Sequence, residues 1–98
     1  MTVTVITAEF RKGGRNYTGH VFWEKDFPDA LEASIAYVDS DGITGAPIWR
    51  SAYRHSDSAA EKRMMRRLLE AARFRGLTLV KRRYTAYSKT HALRQTRS

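Results

Sequence analysis

From Thr2 to Arg11 polar and β-branched or apolar residues alternate, Lys12-Gly13-Gly14-Arg15 interrupts the pattern, and Asn16 to Lys25 alternates again. Two alternating runs on either side of a glycine pair predict a β-hairpin with a two-residue turn, because glycine adopts the positive φ that such turns demand. With Gly13-Gly14 as the turn, one face pairs Phe10 with Tyr17, Ala8 with Gly19, Ile6 with Val21 and Thr4 with Trp23. The other face pairs Glu9 with Thr18, Thr7 with His20, Val5 with Phe22 and Val3 with Glu24. The first face is largely apolar and aromatic, and a one-residue slip would turn it to the other side, so turn and pattern agree on the register. The Ala8–Gly19 pair leaves a shallow place where a helix or a ring can approach the sheet.

Further along, Asp26-Phe27-Pro28-Asp29 resembles a helix start, with proline in the first turn and an acid near the positive end of the dipole. Leu31, Ser34, Ile35 and Val38 then fall on one helical stripe, which predicts a short helix ending at Asp39-Ser40-Asp41-Gly42. Gly45-Ala46-Pro47 prolongs the loop, and Ile48 to Arg54 alternates as a third strand. Ser58-Ala59-Ala60-Glu61 fits a capping box and opens a second helix, closed by Gly76. On that helix Met65, Leu68, Leu69 and Ala72 share one face, flanked by Met64 and Ala71. Lys62, Arg66 and Arg73 line up on the other side, with Arg63 and Arg67 beside them, so the helix is amphipathic and basic outside. Leu77 to Tyr87 reads as a last strand. The expectation is an α+β fold in the order ββαβαβ: a four-stranded, mostly antiparallel sheet with two helices on the Ile6/Val21/Trp23 face. A single domain over 1–88 is followed by a flexible basic tail over 89–98.

Composition supports one folded domain. Ninety-eight residues with 42% hydrophobic content are enough for a modest core and too apolar for intrinsic disorder. The absence of cysteine excludes disulfides and thiolate metal sites. Apolar runs are too short to span a membrane, and Met1-Thr2-Val3-Thr4-Val5 lacks the features of a secretory leader, so a cytoplasmic location is expected.

Charge changes the picture most. Residues 1–49 carry 4 basic and 7 acidic side chains and residues 50–98 carry 14 and 3, so a net −3 and a net +11 make up the overall +8. Such an asymmetry points to a polyanionic partner. Lys62, Arg63, Arg66, Arg67 and Arg73 of the second helix, with Lys81, Arg82 and Arg83 of the last strand, form one positive stripe if helix and strand lie side by side. Guanidinium forks suit phosphate, and the expected function is salt-dependent, non-enzymatic binding of DNA or RNA. Glu70 lies within the stripe and can weaken it. Tyr84 and Tyr87, and less directly Trp49 and Tyr53, are candidate stacking planes for unpaired bases.

Other chemistries lack their residues. His20, His55 and His91 are scattered without fixed carboxylate partners, and Asp39-Ser40-Asp41-Gly42 lacks the later ligands of a calcium loop and reads as Asx-turn chemistry. No catalytic residue, metal site or cofactor is expected. A helix-turn-helix needs a helix ahead of the recognition helix, where this chain reads as strand and loop. The alternative function is a small interaction module or inhibitor, of the phage or plasmid accessory kind, docking on an acidic face of a nucleic-acid-handling protein. Val3, Val5 and Phe22 on the uncovered sheet face are the candidate interface for a homodimer.

Overall fold

The computed structural model describes residues 2–24, 27–53 and 58–84. In chain order the elements are β1 (Thr2–Lys12), β2 (Arg15–Glu24), β3 (Phe27–Val38), β4 (Thr44–Tyr53), α1 (Ser58–Phe74) and β5 (Thr78–Tyr84). The strands form one antiparallel sheet in the order β4-β3-β2-β1-β5. The class is α+β, but with five strands and one helix in place of four and two. The expected tail over 89–98 and the candidate Tyr87 lie outside the described residues.

The hairpin register follows from its turn. Gly13 and Gly14 have φ of 55° and 78°, and the pairs from Lys12↔Arg15 to Ile6↔Val21 are those the two-residue loop dictates. Beyond Ile6 the register shifts, so that Thr4 faces Phe22 and Val3 faces Trp23. This corrects the pairs Thr4–Trp23, Val5–Phe22 and Val3–Glu24: Val5 is the extra residue of a β-bulge, which absorbs the break in alternation at Val5-Ile6. Two further bulges fall at adjacent apolar residues. Val80 is extra in β5, between Leu79 opposite Phe10 and Lys81 opposite Glu9. Ile48 is extra in β4, between Pro47 opposite Ala36 and Trp49 opposite Ile35. Both extra side chains are exposed.

The expected first helix is β3. Leu31, Ala33 and Ile35 are buried at period two, opposite Trp23, Val21 and Gly19 of β2. Leu31 and Ile35 also satisfy a helical i, i+4 spacing, and in so short a run the two periods compete; the waiting edge of β2 decides for strand. Pro28 is tolerated because it sits at the second residue of β3, before the first described pair with β4 at Leu31↔Tyr53. Asp39 joins β3 to β4 through an Asx turn: its Oδ1 accepts the backbone N–H of Asp41 and of Ile43, each at 2.9 Å, and Gly42 takes φ 79°. The stretch Gly45-Ala46-Pro47, expected as loop, belongs to β4, where an edge position and bulges accommodate proline.

One face of the sheet carries the core. Ile6, Ala8, Phe10, Val21, Trp23, Leu31, Ala33 and Ile35 pack against Ala60, Met64, Met65, Leu68 and Ala72 of α1, with Leu77 closing one end. An ideal Cβ on Gly19 would stand 2.9 Å from Leu68 Cδ2 and 3.0 Å from Phe10 Cε2, so the shallow place at Ala8–Gly19 is where the helix seats. α1 ends in a Schellman motif: Leu77 N–H bonds the Ala72 carbonyl at 2.9 Å and Gly76 N–H the Arg73 carbonyl at 3.0 Å, with Gly76 at φ 75°. Lys12 Nζ donates to the Arg75 carbonyl at 2.8 Å, placing a cation on the negative end of the helix. Among the described residues no element covers the opposite face of the sheet.

Candidate nucleic-acid interface

The exposed side chains of α1 fall into two lines. At 100° per residue Lys62, Arg66 and Arg73 cluster on one flank, and Arg63, Arg67, Glu70 and Phe74 on the other. The guanidinium of Arg67 lies 4.9 Å from the ring centroid of Tyr53, which fixes the second flank toward β4. Since β4 and β5 are the two edges of the sheet, the first flank looks toward β5. Both arginines of the β4 flank already interact within the chain, Arg67 with Tyr53 and Arg63 with a partner of its own. The exposed acid of the helix, Glu70, sits in their line.

β5 divides its cations between the two faces. Residues opposite one another in an antiparallel pair share a face. Leu79, Arg82 and Tyr84 stand opposite buried Phe10, Ala8 and Ile6, and so lie on the helix side. Lys81 and Arg83 stand opposite Glu9 and Thr7 on the uncovered side, where these four residues line a depression of about 160 Å³. The single stripe expected from Lys62, Arg63, Arg66, Arg67, Arg73, Lys81, Arg82 and Arg83 is therefore three groups. Lys62, Arg66 and Arg73 face Arg82 across a shelf between α1 and the edge strand, Arg63 and Arg67 line the β4 flank, and Lys81 and Arg83 point away. The division follows from the strand's period of two, which sends alternate members of a Lys-Arg-Arg run to opposite sides.

The floor of the shelf is open. α1 touches β5 but covers its helix side only in part: Leu79 is 42% and Tyr84 57% exposed. Tyr84 is thus accessible, whereas Trp49 and Tyr53 are half-buried against the core and Tyr53 is overlaid by Arg67. Phe22 is half-buried on the uncovered face, opposite Thr4 and Glu32. The side chains of Val3 and Val5 lie outside the described residues.

The uncovered face carries polar rows that strand order alone assembles. One runs Arg83, Thr7, His20, Ser34, Arg50 across all five strands. Arg11 and Arg50, absent from the sequence-derived site, join Lys81 and Arg83 on this side, with Glu9 and Glu32 among them. Sequence gave no local sign of this meeting, because the partners come from strands far apart in the chain. His20 is half-buried near the centre; its Nε2 is 3.2 Å from Thr18 Oγ1, and desolvation lowers its pKa, which favours the neutral ring. On the helix side Glu61, expected as a cap residue, is buried and accepts the Trp23 indole N–H at 3.3 Å; burial raises its pKa and that hydrogen bond offsets part of the shift. His20 shares an open pocket of about 510 Å³ on the uncovered face with Glu9, Arg11 and Tyr17.

Among the described residues no three His, Cys, Asp or Glu side chains are grouped to hold a metal ion, and no helix is long and apolar enough to cross a membrane. No protein-family model, no curated protein and no solved structure matches this chain.

Proposed function

We propose that the protein binds nucleic acid without catalysing a reaction, gripping phosphates with Lys62, Arg66, Arg73 and Arg82 around the shelf between α1 and β5. One observation carries this reading: Lys62, Arg66 and Arg73 are exposed along the flank of α1 turned toward β5, with Glu70 one turn from Arg66 and Arg73 as the acid beside them, and Arg82 lies on the helix side of that strand. Each phosphate neutralised releases condensed counterions, so affinity comes largely from charge and falls with salt. Arg63 and Arg67 add a weaker field from the other flank, and Lys81 and Arg83 lie on the opposite face of the sheet.

The test is a fluorescence-anisotropy titration of the intact protein with labelled oligonucleotides in low salt. R66E combined with R82E is expected to abolish binding with an unchanged far-ultraviolet circular dichroism spectrum, since both side chains are exposed. R67E, on the far flank, is expected to weaken binding far less. Equal losses for the two variants would show a diffuse charge effect and remove the shelf from the site.

A second reading, docking on an acidic protein surface, draws on the edge itself. β5 pairs only with β1 among the described strands and exposes Leu79 and Val80 beside its cations, features that suit a partner strand added to the sheet. Co-purification separates the two: bound nucleic acid supports the first, and a stoichiometric acidic protein supports the second.

A further inference from the structure

We infer that the polyanion accepted by the α1–β5 shelf is a single-stranded nucleic acid, its backbone running along Lys62, Arg66 and Arg73 and a base stacked on Tyr84. The inference rests on the nucleic-acid reading above and adds the class of strand.

The floor of the shelf distinguishes an unpaired strand from a duplex. Tyr84 and Arg82 are two positions apart on one face of β5, hence about 7 Å from each other. Leu79 extends the same uncovered strip toward the bulge at Val80. An exposed ring with a guanidinium two residues away on the same face is a stacking platform beside a phosphate contact, and only unpaired bases present a free face to it. The cations of the helix flank, Lys62, Arg66 and Arg73, span about 16 Å of helix, a length over which successive phosphates of one backbone can be held. An acidic peptide would satisfy the charges and leave the ring unused.

The experiment titrates the full chain, by anisotropy at about 50 mM salt, against oligothymidylate, oligouridylate and a duplex of equal length. Single strands are expected to bind at least tenfold tighter than duplex, the deoxy and ribo arms showing which sugar is preferred. Y84A is expected to weaken single-strand binding about tenfold, the effect of losing one stacked base. It should leave duplex binding unchanged, and Y84F should retain the parent affinity. Duplex binding as tight as single-strand binding, or no loss in Y84A, overturns the single-strand inference while the nucleic-acid reading stands. Displacement of the bound strand by polyglutamate of matched charge overturns it as well, since charge alone would then explain binding. Failure of every oligonucleotide to bind overturns both readings.

Discussion

Gly19 and Leu68 set how closely helix and sheet approach. With no Cβ on Gly19, the Leu68 side chain descends between β1 and β2 and contacts the ring edge of Phe10; both residues are at least 98% buried. Gly19→Ala introduces a methyl group against the buried side-chain ends of Leu68 and Phe10, which must shift to admit it, and it is expected to destabilise the fold by about 1–3 kcal/mol. Urea denaturation measures this, and an unchanged midpoint would mean the helix rides higher on the sheet than described. Glu61 offers a pH-dependent counterpart. Burial raises its carboxyl above the ordinary 4.5, against a smaller opposing effect from the Trp23 indole. The native state then binds this proton more tightly than the unfolded chain, so the stability linked to it is complete below about pH 4.5 and is lost as pH rises through the raised native value. Glu61→Gln keeps an acceptor oxygen for Trp23 and removes the titration. The variant should be more stable than the parent at pH 7, with the difference shrinking toward pH 4; urea midpoints at the two pH values check it, and a constant difference would assign the effect to packing.

At the scale of elements, the C-terminal end of α1 is the best defined junction. Gly76 holds φ 75°, two Schellman hydrogen bonds close over it, and Lys12 reaches from β1 to the Arg75 carbonyl. Gly76→Ala is expected to cost about 1 kcal/mol by forcing an L side chain into the left-handed region. Thermal unfolding followed by circular dichroism measures this loss. The hairpin, the Asx turn at Asp39 and this helix were legible because their signals are local: a glycine pair, an aspartate before a glycine, an amphipathic run ending at glycine. β3 was not legible, because Leu31 and Ile35 fit two periods and only the hydrogen-bonding edge of β2 distinguishes them. The bulges had a local sign that simple alternation passes over, namely the adjacent apolar pairs Val5-Ile6, Ile48-Trp49 and Leu79-Val80. A bulge keeps one residue of such a pair in register and leaves the other unpaired.

Across the whole molecule, the excess of cations in residues 50–98 becomes three separate groups once the strand order is set. Four phosphates held by Lys62, Arg66, Arg73 and Arg82 give a logarithmic salt slope of about −3 for a single strand, or roughly a fiftyfold loss of affinity from about 50 to about 200 mM salt. Anisotropy titrations at the two concentrations measure that slope; a value near twice as steep would bring the remaining cations into the contact. The amino-acid sequence by itself determined the hairpin register near its turn, the amphipathic helix, the α+β class and the location of positive charge in the second half of the chain. These depend on neighbours within one turn or one hairpin. Tertiary structure decided that 27–38 is a strand, that β5 joins β1 at the edge, and that Arg82 looks toward α1 while Lys81 and Arg83 look away. Those outcomes depend on which backbone edge each segment meets, and that edge is supplied by residues remote in the chain.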